Sequence, residues 1–337
     1  MINVGVVGTG MMANVIAKSL SKDKFLLNSV LSRTDKMAKW FGGQYNLPDN
    51  KCYSDIVSFF SDPDLDAVYI ATPTSEKERI IQFALEYNKH ALIEKPLPSS
   101  DRAMELYGEA RRRGLFFLDA THCIHNAIFK DLNGLIEKYV GNLSCIEAVF
   151  FWPSADERSM KFNSELEPLG ALGDLGWYPA RLVSEFFSAG IDVSGYSYLN
   201  ASGTLVESNV VGVANGMTIK LSSSYLKSTA RQNFILSGDK GELIVDDYVM
   251  PYWGSFVYGD IKKYTKIEAR NGMMPSLDNS VFKLFFNESQ HISMLNLFSD
   301  SICGVIEHDV CNTLFEKAIH TSILLNKINE SSKKISI

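Results

Sequence analysis

The chain has little of what marks the specialised protein classes. Cysteine occurs five times in 337 residues, at Cys52, Cys123, Cys145, Cys303 and Cys311, and no two form a Cys-x-x-Cys pair. A sparse, odd set argues against a disulfide framework and fits a reducing compartment. Glycine (23) and proline (10) are too few for a collagen-like or low-complexity segment. Basic residues are not in excess: 33 Lys and Arg stand against 39 Asp and Glu, a formal net charge of −6, so no nucleic-acid partner is expected. No apolar run has the length of a membrane span, so no membrane partner is expected either. Met1-Ile2-Asn3-Val4 runs directly into a strand pattern without a basic leader, and the protein is read as soluble and cytoplasmic.

What is present is ordinary globular composition, 46% hydrophobic and 21% charged, over a length that suggests two domains. Ile2 to Val7 is a near-continuous apolar run, as in a buried parallel strand, and a helical pattern follows through Val15, Ile16 and Leu20. Phe25–Leu31, Leu65–Ala71, Ala91–Ile93 and Leu115–Leu118 repeat the strand signal, with helical stretches such as 76–87 and 101–113 between them. Alternation over about 120 residues predicts an α/β fold: an N-terminal Rossmann domain with a doubly wound parallel sheet. The texture then changes. Strand-like runs at 143–152, 204–214, 217–225, 232–237 and 242–246, with turn signals at Asn215-Gly216 and Asp239-Lys240-Gly241, predict a C-terminal α/β domain with an open, mainly antiparallel sheet. The expected domains are 1–121 for dinucleotide binding and 122–330 for substrate binding and oligomerisation. Residues 289–297 and 305–325 read as late helices, and the tail around Lys333-Lys334 as frayed.

Three local patterns carry chemistry. Gly8-Thr9-Gly10-Met11-Met12-Ala13 follows a strand and opens a helix. Gly8 permits a tight turn, Gly10 a close approach by a pyrophosphate, and Ala13 close helix packing, while the helix start offers amides to the phosphate. The end of the second strand reads Leu31-Ser32-Arg33-Thr34, with no carboxylate where a ribose-binding acid belongs and Asp35 slightly late. Arg33 can pair with a 2′-phosphate and Ser32 or Thr34 can donate to it, so the cofactor is expected to be NADP, with NAD possible. Glu94-Lys95-Pro96 ends another apolar strand, in the region where open α/β sheets bind ligands. A lysine there can serve a developing alkoxide, although a lysine before proline also suits a solvated loop. Finally, Gly173-Asp174-Leu175-Gly176-Trp177-Tyr178-Pro179 separates Asp174 and Tyr178 by four positions. Both share a face if the segment is helical, and an Asp-capped loop with a packed tyrosine is the competing reading.

Together, these patterns resemble the glucose–fructose oxidoreductase / inositol dehydrogenase family, and its dihydrodiol-dehydrogenase-like branch in particular. Ala71-Thr72-Pro73 also matches that family's segment after the fourth nucleotide-domain strand. The resemblance implies a small carbohydrate-like substrate and a homodimer or homotetramer paired through the second sheet. It implies that Lys95 is the catalytic lysine, that Asp174 contacts substrate, and that Tyr178 takes a position often held by histidine. The cofactor-binding set is then Gly8, Thr9, Gly10, Met11, Met12, Ser32, Arg33, Thr34, Ala71, Thr72, Pro73, Glu94 and Lys95. The substrate-binding set is His122, His125, Trp152, Asp174 and Tyr178. Thr74 to Lys77 and Asp119 to Asn126 depart from the family pattern.

The activity implied is hydride transfer between nicotinamide and a secondary alcohol or ketone of a sugar-like molecule. Tyr178 exchanges the proton, Lys95 lowers the tyrosine pKa and stabilises the oxygen, and Asp174 orients a neighbouring hydroxyl. Two alternatives stand beside it: a non-catalytic nucleotide-binding regulatory protein, and an enzyme using retained nucleotide for redox-neutral sugar elimination or glycoside cleavage. No metal is expected, because neither His122, Cys123 and His125 nor Cys303, His308 and Cys311 has zinc-like spacing. Trp152, Tyr252 and Trp253 are candidates for a cleft or a subunit interface.

Overall fold

The structure, a computed structural model, describes residues 1–153, 156, 158–251, 264–274 and 277–337. They fall into two compact units, one of residues 1–120 with 291–316 and one of residues 121–290 with 317–337. Tyr252 and Trp253 lie outside the described residues.

In the first unit β1 (Ile2–Val7), β2 (Phe25–Leu31), β3 (Cys52–Tyr53), β4 (Ala67–Ile70), β5 (His90–Ile93) and β6 (Phe117–Asp119) form a parallel sheet in the order β3-β2-β1-β4-β5-β6. All four residues of β4 are buried, as a strand covered on both faces requires. Helices Met11–Ser19, Asp35–Gln44, Thr74–Glu86 and Asp101–Arg112 supply crossovers. The strand order reverses between β1 and β4, which opens a crevice at their carboxyl ends.

The boundary expected at residue 121 needs a correction further along the chain. Residues 291–316 do not cluster with the second unit, because Met294, Leu295, Phe298 and Cys311 join the same apolar core as Val4, Val6, Ile16 and Leu118. Lys24 Nζ pairs with Asp300 at 2.7 Å, and the Phe315 ring meets Tyr107 edge-on at 5.1 Å. Burying several large apolar side chains at roughly 1.5–3 kcal/mol each outweighs chain proximity in deciding where this segment belongs.

The second unit is a larger mixed sheet. β7 (Leu143–Phe151), β8 (Ile191–Leu199), β9 (Leu205–Ala214), β10 (Met217–Ser224), β11 (Arg231–Gly238), β12 (Glu242–Asp246), β13 (Tyr264–Arg270), β14 (Asn279–Phe285) and β15 (Ser332–Ser336) run in the order β14-β13-β12-β11-β7-β10-β9-β8-β15. β7 and β10 pair in parallel, as do β8 and β15, and the other neighbours are antiparallel. Asn215 and Gly216 both take positive φ (50° and 79°) in the β9–β10 hairpin, the turn their sequence predicts. The tail read as frayed is instead β15, tied to β8 from Ser332↔Gly195 to Ser336↔Leu199; its exposed lysines suit an edge strand.

Candidate active site

Register brings the expected nucleotide-binding residues of the first unit to one edge. Val7 lies opposite Leu31 on β2 and Ile70 on β4, and Ile70 lies opposite Ile93 on β5. The ladder continues one step beyond the strands. Gly8 N donates to Leu31 O (2.9 Å), Ala71 N to Val7 O (2.8 Å) and Glu94 N to Ile70 O (2.9 Å). Gly8, Ser32, Ala71 and Glu94, distant in sequence, therefore stand side by side. Gly8 has φ +106°, and a Cβ there would lie 2.6 Å from Ala71 O, so no other residue suits the turn.

The edge fits a dinucleotide. Gly10 caps helix Met11–Ser19 without a side-chain bond, the first turn holds no acid, and the space beside its Cα is open for 4 Å. Unspent amides, a positive helix end and room above a glycine are what a pyrophosphate needs. Met11 is exposed at the helix start, Met12 is half-buried, and Thr9 Oγ1 lies 3.3 Å from Ser32 Oγ, joining the first loop to the end of β2. Thr72 Oγ1, beyond β4, is buried without a hydrogen-bond partner among the described residues, and Pro73 caps the next helix. Arg33 is exposed and makes no ion pair or hydrogen bond among the described residues, while Asp35 pairs with Lys39 at 3.1 Å. A guanidinium with nothing to neutralise it, beside a carboxylate already engaged, suits a 2′-phosphate better than a bare ribose hydroxyl. Thr34 also holds the next helix: its Oγ1 accepts from Met37 N and caps Asp35–Gln44.

Beyond β5, Glu94 is buried and accepts a hydrogen bond from the Tyr69 hydroxyl. Burial pushes its carboxyl up in pKa, against the Tyr69 bond and the ammonium groups of Lys95 and Lys77. Lys95 is half-buried and precedes Pro96 through a cis peptide bond. Lys77, where the sequence departs from the family pattern, is 2% exposed and donates to Pro96 O at 2.9 Å.

In the second unit the glycine-rich segment is not one helix. Helix Gly170–Asp174 stops at Leu175, and Trp177–Val183 starts after Gly176, so the one-face expectation for Asp174 and Tyr178 gives way to two separate environments. Gly170 has φ +46°, and a Cβ there would lie 2.2 Å from Leu205 O; the tight approach is made to β9. Asp174 accepts from Tyr225 Oη (3.0 Å) and pairs with Lys161 Nζ (3.0 Å). Burial, then the Asp174 charge, holds the Tyr225 phenol far above its ordinary pKa, so it remains a donor.

Tyr178 is buried, with its hydroxyl 3.2 Å from His122 Nε2 and its ring edge-on to Phe150 at 5.3 Å; Trp152 extends that aromatic row from Phe150. His122 Nδ1 is 2.6 Å from Gln290 Nε2. His125 is buried in the same turn (His122–His125), but the bond to Tyr178 is made by His122. Trp177 is wholly buried and donates from Nε1 to Thr121 Oγ1 at 2.7 Å. Among the described residues, no group of three His, Cys, Asp or Glu is placed to hold a metal.

Residues 2–119 match the model of an oxidoreductase family with an NAD-binding Rossmann fold. The match covers the first unit up to β6. Among the chain's relatives is the dTDP-3,4-didehydro-2,6-dideoxy-α-D-glucose 3-reductase of Saccharopolyspora spinosa, 32% identical over 56% of this chain and 58% of that protein. The scyllo-inositol 2-dehydrogenase (NADP(+)) IolU of Bacillus subtilis is 26% identical over 74% of this chain and 78% of its own. The first relative is thus matched over little more than half its length. KijD10, a 3-ketoreductase from Actinomadura kijaniata solved with NADP and TDP-benzene, has the same fold over 100% of this chain and 99% of its own, at a TM-score of 0.84 and 20% identity.

The comparisons thus agree with a Rossmann domain in the first unit and a mostly antiparallel sheet in the second. Sequence reasoning missed four polar residues: Lys77 in the first unit, and Lys161, Tyr225 and Gln290 in the second. Lys77 was visible as a departure from the family pattern. The other three lie far in sequence from their partners and sit in no motif.

Proposed function

We propose that this oxidoreductase uses NADP to interconvert a ketone and a secondary alcohol on a sugar-like substrate, with Tyr178 exchanging the proton. The observation that carries the reading is the buried Tyr178 hydroxyl, bonded to a histidine rather than lost in packing, in a chain whose other unit has the dinucleotide edge. The relatives named for a dideoxyglucose 3-reductase and an NADP(+)-linked inositol dehydrogenase support a polyhydroxylated substrate. Arg33, which makes no ion pair among the described residues, supports NADP over NAD.

When bound, the nicotinamide supplies or takes up the hydride. Gly8, Thr9, Gly10, Met11 and Met12 hold the pyrophosphate, and Ser32, Arg33 and Thr34 the adenosine ribose phosphate. Ala71, Thr72, Pro73 and Glu94 line the remainder of the edge. In reduction Tyr178 gives its proton to the substrate oxygen as negative charge develops there, and Lys95 stabilises that charge. Asp174, polarised by Lys161 and Tyr225, accepts from a neighbouring substrate hydroxyl, and Trp152 and His125 border the sugar ring. Oxidation reverses the proton's path. The test is NADPH consumption, read by absorbance, against a panel of keto-sugars, keto-inositols and their nucleotide-linked forms; consumption with none of them, by protein that binds NADPH, overturns the reading.

The second sheet also supports a homodimer or homotetramer. Tyr196, Val211 and Val213 stand about half exposed along β8 and β9 on the face opposite the helices. Light scattering at micromolar concentration should return at least about twice the chain mass, and Val211→Asp should lower it; a wild-type monomer ends this part of the proposal.

A further inference from the structure

His122 stands behind the tyrosine in a bond network whose direction can be read from the main chain. Backbone amides only donate and carbonyls only accept, so they fix the side-chain amides they touch. Asn126 Oδ1 accepts from Ile128 N (2.9 Å) and Phe129 N (3.3 Å), which leaves its Nδ2 to donate to Tyr248 O at 3.1 Å. The same Nδ2 points a second, longer donor at Gln290 Oε1 (3.5 Å). Gln290 Nε2 donates to Val249 O at 2.8 Å, a contact only its nitrogen can make. Its other proton faces His122 Nδ1 at 2.6 Å. An acceptor at Nδ1 leaves the neutral imidazole's proton on Nε2, and Nε2 is the atom 3.2 Å from Tyr178 Oη.

We infer that His122 is a positioning residue for Tyr178, held by Gln290 in the Nε2–H tautomer so that it donates to the phenol oxygen. The inference rests on Tyr178 being the proton-exchanging group and deepens that reading. Because the phenol oxygen accepts from His122, the single phenol proton is turned away from the histidine. When Tyr178 gives that proton to the substrate oxygen, the phenolate left behind keeps the His122 bond, which strengthens as the oxygen becomes charged. No proton passes through the histidine: Nε2–H stays on nitrogen, and Nδ1 accepts from an amide that is too weak an acid to transfer its proton. The arrangement therefore differs from a relay in which histidine is the base. Gln290, at 1% exposure, and His122, at 3%, are shielded from water that would otherwise compete for these bonds.

Two measurements test it. In ¹⁵N-histidine-labelled protein, with His122→Gln used to assign the signal, His122 should show a protonated Nε2 and an unprotonated Nδ1 at neutral pH; the opposite tautomer overturns the inference without reference to turnover. In single-turnover kinetics on a substrate from the panel, His122→Met should slow the chemical step by about 10- to 100-fold, the loss of one hydrogen bond to a charged oxygen, with NADPH affinity unchanged. His122→Gln, which can still donate from the Nε2 position, should recover most of the rate. If His122→Met keeps the wild-type rate while Tyr178→Phe loses it, the role of His122 fails and the proposed function stands. If Tyr178→Phe keeps the rate, the proposed function itself fails.

Discussion

The two units organise polar groups in opposite ways. In the first, main-chain atoms do most of the work: consecutive strand ends in register, a glycine in a conformation closed to other residues, and the bare start of a helix. In the second, side chains from residues 121–126, 161–178, 225 and 290 form the polar networks, and the backbone's part is to orient two amides. A backbone site tolerates exchange of many side chains but not a changed fold at the turn. A side-chain network tolerates backbone neighbours changing but fails at single atoms.

The largest effect should come from removing one oxygen in the second unit. Tyr178→Phe should lower the single-turnover rate by about 10²–10⁴-fold while NADPH titration is unchanged. Equal losses in both measurements would erase the contrast between the units.

Folding offers the next test. Burial pushes the His291 pKa from 6.5 down to about 4. The unfolded chain takes up this proton first as pH falls, so stability is fully retained above pH 6.5 and is lost from there toward pH 4, by up to about 3 kcal/mol. Denaturation midpoints at stepped pH should therefore slope less in His291→Asn than in the wild type. His291 belongs to the segment that clusters with the first unit, so an unchanged slope in the variant would remove one mark that separates that unit from the second.

The counterpart of the tyrosine change is Gly8→Ala. A side chain forced to φ +106° against Ala71 O should cost about 1–3 kcal/mol. Isothermal titration should show weaker NADPH binding, with the substrate-side tautomer of His122 unaltered. The smallest effect is expected at Arg33, where the site does depend on a side chain. Arg33→Ala should weaken NADPH by about tenfold, as one charge-assisted contact implies, and leave NADH nearly unchanged. Equal loss for both would assign the arginine to something other than the 2′-phosphate.

Periodicity alone exposed the parallel sheet and the β9–β10 hairpin, because apolar runs and an Asn-Gly turn are local signals. β8 and β13 alternate buried with more exposed residues but interleave serine, glycine and charged side chains instead of forming an apolar run, and β14 is mostly exposed, so the three went unread. The glycine-rich segment was legible as unusual but not as two helices, since the stop at Leu175 and the restart at Trp177 fall too close together to leave a period in the sequence.

By itself, the sequence determined the Rossmann alternation, the glycine turn, the lack of an acid after β2 and the presence of Lys95, Asp174 and Tyr178 in distinctive motifs. These are statements about neighbours along the chain, where backbone conformation and periodicity are set by short-range sterics. Tertiary structure decided that residues 291–316 pack with the first unit, that the tail completes a sheet, and that Gln290 faces His122 across 168 positions. Those outcomes follow from burial of apolar surface and from the demand that buried polar atoms find partners, and both are satisfied in space without leaving a spacing in the chain.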